Sequence, residues 1–234
     1  MTISIYQDVL NNYPDYLMGV VELSIVNYDS NKLQTIIAAE IAEMKVPMRN
    51  SSVESKWKEI FINMKASEKR LPSITALWNL QERFGELRSI NYFVDAYNHI
   101  STKHGIPMGG YDFNNLPADD ITLRYAKRGD KFQPLGLNQV EKIKDENEIA
   151  YYSGSNVICR YWNHKDSELT KITENSKRLV IIFDFFGEPV LLNKAMDELE
   201  TLLISTSNVS FIRKNHLSVK NPTIILEVGV PIIF

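Results

Sequence analysis

Two polar residues three apart, Asp95 and Asn98, lie inside an otherwise apolar segment running from Arg88 to His99. On a helix that spacing puts both on one face. Burying a carboxylate beside a carboxamide is costly unless both are hydrogen-bonded, so such a pair either fixes a loop or lines a site. The segment then breaks at Gly105 and Pro107 into a loop carrying Gly109 and Gly110. There the backbone can approach whatever lies above Asn98 with no side chain in the way. A second concentration of donors and acceptors is Arg160-Tyr161-Trp162-Asn163-His164-Lys165-Asp166-Ser167, continuing through Thr170 and Thr173. Strand alternation puts Arg160, Trp162 and His164 on one face, with Tyr161 and Asn163 on the other. Arginine, tryptophan and asparagine together make a wall that stacks a base or an amino-acid side chain, as readers of single-stranded RNA do. The alternative is a hairpin strand whose Trp162 packs on the core.

Other chemistries have little support. His99, His104, His164 and His216 offer no pair at ligand spacing on a helix, so no metal site is expected. Cys159 is flanked by Val157, Ile158 and Tyr161 and reads as a buried core residue rather than a nucleophile. There is neither a Gly-x-Ser-x-Gly elbow nor a phosphate loop of the GxxxxGK type, so ATP and nicotinamide chemistry are not expected and no cofactor is foreseen. Asp184 interrupts the apolar run Leu179 to Phe186; it is either a pocket carboxylate or the partner of Arg124 or Arg178.

The ordered series Ile90-Asn91, Val94-Asp95, Asn98, Gly105-Ile106-Pro107 and Tyr111-Asp112 resembles the B3/B4 domain of the phenylalanyl-tRNA synthetase beta subunit. The resemblance continues through Ile121 to Ala126, the Gly129-Asp130 turn and Cys159 to Asn163 with Asp166-Ser167, a variant associated with free-standing relatives of that domain. Residues 70–185 carry it; the first 70 and last 50 residues are placed by analogy. In the family this domain hydrolyses tyrosine wrongly attached to tRNA, and the position of Asn98 lies in its amino-acid pocket. The resemblance therefore implies a trans-editing deacylase that binds the acceptor end of an aminoacyl-tRNA and does not aminoacylate. It implies substrate contacts at Asn98, Gly109, Gly110, Arg160, Trp162 and Asn163, with the catalytic group unassigned. The family threonine before Asn98 is Tyr97 here, and the family histidine falls at Gly109. Both changes alter a tyrosine-selective pocket. A module that binds tRNA or an amino acid without hydrolysis is the rival reading.

The elements that must position these residues follow from patterning. The chain has 234 residues, 44% hydrophobic and 24% charged, with net charge -3 and one cysteine. These values describe a globular protein in a reducing compartment, and the cytoplasm is expected. No apolar run of membrane-spanning length and no secretory leader is visible in the sequence. The acidic balance argues against a strong non-specific grip on nucleic acid, and DNA is not an expected partner. Strands are expected at 1–6, 16–28, 121–126, 149–152, 156–161, 179–186, 209–214 and 223–230, with helices at 32–45 (closed by Pro47), 53–66 (capped by Ser51-Ser52), 74–84, along the Asn98 segment and at 189–204. Glu141 to Glu148 reads as a solvated charged run. Strands and helices do not alternate as βαβ units, which disfavours a doubly wound sheet. The expected fold is α+β, one compact domain of mixed and antiparallel sheets packed with helices over residues 1–234. Within it, 1–70 form a strand and helix portion, 70–185 the core, and 186–234 a closing helix and strands.

Overall fold

A computed structural model describes residues 1–43 and 49–226. In chain order it contains β1 (Thr2–Ile5), α1 (Gln7–Asn12), β2 (Tyr16–Tyr28), α2 (Ser30–Glu43), α3 (Ser51–Asn63), α4 (Ser73–Phe84) and α5 (Tyr92–His104). The second half contributes β3 (Met108–Asp112), β4 (Asp120–Tyr125), β5 (Lys131–Phe132), β6 (Glu141–Lys142), β7 (Ile149–Ser153), β8 (Asn156–Arg160) and β9 (Lys165–Asp166). Last come β10 (Arg178–Phe186), α6 (Pro189–Thr206), β11 (Ser207–Leu217) and β12 (Thr223–Ile225). The expected continuation of α2 to Lys45, its stop at Pro47, and the extension of the last strand to Val230 lie outside the described residues.

The strands form two sheets. One is antiparallel, in the order β11-β2-β10-β3; the other is mixed, in the order β12-β1-β4-β7-β8-β5-β6, with β9 added to β8. The parallel pairs are β1 with β4 and β5 with β8. β10 is central in the antiparallel sheet, and both of its faces are covered. Leu179, Ile181, Phe183 and Phe185 meet a core built with α2, α5 and α6. Val180 and Ile182 meet a second core shared with the mixed sheet, α1, α3 and α4. Strand alternation thus makes β10 the middle of three layers, which is why its sequence reads as an almost unbroken apolar run. Asp184 falls on the face toward the mixed sheet, and its surroundings decide its role. No helix among the described residues is long and apolar enough to cross a membrane.

Several local expectations are corrected. The loop foreseen at Gly109-Gly110 is a strand, β3, paired with β10 through Gly109 opposite Ile182 and Gly110 opposite Ile181. Asn50, rather than Ser51 or Ser52, caps α3, its side chain accepting from the Ser52 and Val53 amides at 3.0 and 3.3 Å. The charged run at 141–148 is not wholly solvated. It supplies β6, and Glu148 is fully buried, bound by Arg160 through Nε at 2.8 Å and Nη2 at 2.7 Å.

Candidate functional site

α5 starts where Asn91 accepts the Val94 amide at 3.1 Å, and it stops at Gly105, whose φ is 67°. The two polar residues on its face part company. Asp95 accepts from Ser89 Oγ at 2.5 Å, the Ile90 amide at 2.8 Å and Gln34 Nε2 at 2.8 Å. It therefore ties the segment before α5 to α2, and not the loop after α5. Asn98 makes no side-chain hydrogen bond among the described residues, and it borders a groove of about 390 Å³. That groove runs between the ends of α4 and α5, β3 and the segment 164–172.

Gly110 forms part of the groove wall, and its lack of a side chain is required. A Cβ there would lie 2.6 Å from Ile172 Cδ1 and 2.9 Å from Tyr97 Cε1. Gly109 points the other way, toward the mixed sheet. A Cβ at 109 would sit in ordinary contact, 3.6 Å from Tyr111 Oη and 3.9 Å from Asp166 Oδ1. Tyr97 therefore fills the space beneath Gly110, and the space at Gly109 is shared by a phenol and a carboxyl.

Asp166 is the group that spacing alone did not single out. β8 turns into β9 through a four-residue loop in which Tyr161 and Trp162 both have positive φ, 47° and 66°. The return pairs Cys159 with Asp166 and Arg160 with Lys165. Asp166 thereby reaches the groove across the sheet from Cys159. Burial pushes its carboxyl up to about 6, with the Cys159 thiol hydrogen bond pulling in the opposite direction. Burial and the nearby carboxyls push the thiol itself well up, so Cys159 is a poor nucleophile. Two further hydroxyls border the groove: Ser73 Oγ and Thr170 Oγ1 are both buried and without a hydrogen-bond partner. Buried polar atoms are almost always bonded. Two orphans in one groove, beside an unpartnered carboxamide and a carboxyl of raised pKa, make this groove the candidate binding site. The sequence marks Asn98 and the stretch carrying Asp166 and Thr170 separately, but no local spacing connects them with each other or with Ser73; the orphaned hydroxyls become visible only after folding.

The expected wall lies elsewhere. The left-handed pair Tyr161-Trp162 ends the alternation, so Trp162 turns away from the groove and is fully buried among Tyr13, Tyr16 and Trp57, with ring centroids 5.2, 4.9 and 5.5 Å away. Asn163 is buried beside it, donating to Asp184 Oδ2 at 3.2 Å. Arg160 is held by Glu148 and reaches Glu141 at 3.0 Å. It faces a neighbouring hollow and not the groove. Of the six residues expected to touch substrate, the groove thus collects Asn98 and Gly110, and Gly109, Trp162, Asn163 and Arg160 lie outside its lining.

Asp184 binds the 161–164 loop to the core. It accepts from Tyr16 and Tyr151 Oη at 2.5 Å each, from Trp162 Nε1 at 3.1 Å and from Asn163. Burial pushes its carboxyl up to about 6 against the pull of these donors. Neither of the foreseen cations answers it. Arg124 lies 3.4 Å over the Tyr152 ring and Arg178 pairs with Glu22. His164 donates from Nδ1 to the Leu71 carbonyl at 2.9 Å, and its pKa is lowered, first by burial and then by the nearby cations. No group of three or more His, Cys, Asp or Glu side chains among the described residues is placed to hold a metal ion.

Similarity to known proteins follows the same segment. The chain is 26% identical over 164 residues to the phenylalanine–tRNA ligase beta subunit of Bacillus cereus, covering 68% of this chain and 20% of that protein. The beta subunit of Streptococcus pneumoniae is 31% identical over 110 residues, 47% of this chain and 13% of that protein. The chain thus spans about a fifth or less of the curated relatives it matches. An N-terminal fragment of the phenylalanyl-tRNA synthetase beta subunit from Pyrococcus horikoshii aligns over 91% of this chain and 54% of that one, with a TM-score of 0.44 and 13% identity. The family model described as the B3/4 domain matches residues 49–207, more than half of the chain and all of the groove; the chain belongs to the B3/4 domain family.

Proposed function

We propose that this chain hydrolyses the ester of an aminoacyl-tRNA whose 3′ end lies in the groove. The observation that carries this reading is Asp166, whose carboxyl is raised to about 6 and which lines the same groove as three unpartnered polar groups, those of Asn98, Ser73 and Thr170. A carboxyl with that pKa is ionised at neutral pH and basic enough to accept a proton from water. The water oxygen bonds to the ester carbonyl carbon while Asp166 takes the water proton. The C–O bond to the ribose then breaks, and the proton passes to the departing ribose oxygen. The Asn98 amide and the Ser73 and Thr170 hydroxyls are donors for the oxyanion formed between these steps. An acceleration of 10⁴ requires about 5.5 kcal/mol, within reach of one general base and positioned donors. No nucleophilic side chain is needed.

The test is a set of initial deacylation rates on tyrosyl-, phenylalanyl- and several smaller aminoacyl-tRNAs, for the wild type and for Asp166→Asn. Hydrolysis of at least one substrate by the wild type, lost in Asp166→Asn, is expected. Tyrosyl and phenylalanyl esters should differ little, since Gly109 supplies no side-chain donor for the phenol and Tyr97 fills the space beside Asn98. Inactivity on every substrate, together with measurable tRNA binding, would replace this reading with a non-catalytic module.

A further inference from the structure

His164 borders the groove, and it also borders a second hollow of about 170 Å³, walled by Arg70, Arg160, Lys165, Tyr161 and Glu141. The charges there do not cancel. Arg160 is neutralised from below by Glu148, which is fully buried, and it also meets the exposed Glu141. Arg70 donates from Nη1 to Ser67 Oγ at 2.7 Å and lies 4.6 Å over the Tyr161 ring. Neither Arg70 nor Lys165 has an ion pair with a carboxylate among the described residues. Three cationic side chains therefore face two carboxylates, and one of those carboxylates lies beneath the floor. The imidazole of His164 senses the imbalance: after burial, the charges of Arg70, Lys165 and Arg160 are what hold its pKa down. Its Nδ1–H is committed to the Leu71 carbonyl, so Nε2 is the atom that gains a proton when an anion arrives.

A hollow with surplus positive charge, one guanidinium held by Glu148 and two cations without a carboxylate partner among the described residues is suited to a phosphate. Its position beside the groove says which one. We infer that this hollow is a phosphodiester subsite, holding the backbone phosphate of the RNA strand whose 3′ end occupies the groove, with Arg70 and Lys165 as its charged contacts. This inference rests on the reading of the groove as the place of an RNA 3′ end. It also reconciles recognition of RNA with a net charge of -3, because one local contact positions the strand where a basic surface is lacking.

The experiment compares two short RNAs ending in the tRNA 3′ sequence, one natural and one with neutral methylphosphonate linkages next to the terminal nucleoside. Binding of each is measured from low to moderate salt for the wild type, Arg70→Gln, Lys165→Gln and the double variant. Arg160 is left intact, because removing it would orphan Glu148. In the wild type the neutral linkage should weaken binding about tenfold. In the double variant the two RNAs should bind alike, with the slope of log affinity against log salt flatter by roughly 1 for each charge removed. As a readout independent of any variant, the imidazole signals of His164 in the wild type should show its pKa rising with the natural RNA but not with the neutral one. A double variant that still discriminates between the two linkages, or a His164 pKa unmoved by the natural RNA, overturns the subsite. If the wild type deacylates no aminoacyl-tRNA, the hydrolytic reading of the groove fails alone, and the linkage comparison still decides the hollow.

Discussion

Asp184 lies on the face of β10 that meets the mixed sheet, where four donors converge on it. Leucine at 184 keeps the volume but accepts nothing. The two tyrosine hydroxyls, 2.9 Å apart, can retain one bond between them. Three donors then lose their acceptor: one tyrosine O–H, the Trp162 indole N–H and one Asn163 N–H. An orphaned buried donor costs about 1–3 kcal/mol. Part of that total returns because the buried carboxylate is itself costly, as its raised pKa records. Asp184→Leu should therefore lose about 3–5 kcal/mol, which lowers the thermal midpoint by about 6–20 °C in a chain of this size. Asp184→Asn keeps an oxygen for the donors on Oδ1, and the Asn163 amide can turn over to meet the new NH₂, so its loss should be about 1 kcal/mol. The two variants are compared by thermal unfolding and by urea titration of tryptophan fluorescence. A leucine variant within about 1 kcal/mol of the wild type, or leucine and asparagine variants equally destabilised, would refute the reasoning, since the acceptor would then not matter.

The same carboxyl makes stability depend on pH. Its pKa is raised on folding from an ordinary 3.8 to about 6, so the folded state holds its proton after the unfolded state has lost it. Stability is full below the lower value, falls as pH rises through the interval, and is level above about 6, by an amount on the order of 3 kcal/mol. Asp166 is shifted in the same direction, so Asp184→Asn should shrink this slope without abolishing it.

Trp162→Ala, at a residue for which the sequence offered a ligand-stacking wall beside core packing, should cost about 3–5 kcal/mol in urea unfolding, as for a fully buried aromatic; a loss below about 1 kcal/mol would return Trp162 to a surface role. Gly110→Ala should cost about 1–3 kcal/mol by overpacking against Ile172 and Tyr97, and slow deacylation as those side chains are pushed into the groove. Gly109→Ala, with no contact closer than 3.6 Å, should be near neutral in the same unfolding assay. For deacylation, kcat/KM corrected for spontaneous hydrolysis should rise with pH to a plateau with an apparent pKa of about 6, because Asp166 acts only when ionised. Asp166→Asn should remove that step and lower the rate by about 10²–10⁴; an unchanged profile would assign the base elsewhere. EDTA should leave the deacylation rate unchanged, and a loss restored by zinc or magnesium would reveal a missed ion.

Much of the fold is legible because its signals are local. Pro189 at the first turn of α6, Gly85 after α4, the glycine turn at Gly154 between β7 and β8, and the apolar run of β10 each depend on a few neighbouring residues and the backbone geometry they favour. The B3/4 segment from Asn91 to Asp112 is legible for the same reason, and two of the residues it singles out, Asn98 and Gly110, line the groove. What the linear pattern could not decide is where a side chain goes once alternation stops. Two consecutive residues at positive φ, Tyr161 and Trp162, turn the expected wall inward. The reason is a carboxylate more than twenty residues away, Asp184, whose hydrogen bonds hold Trp162 and Asn163 in the core. The same turn carries Asp166 back across Cys159 into the groove, beside Ser73 from α4 and Thr170. Their hydroxyls are ordinary polar residues in the sequence, and they become informative only when tertiary burial removes water and leaves them without partners.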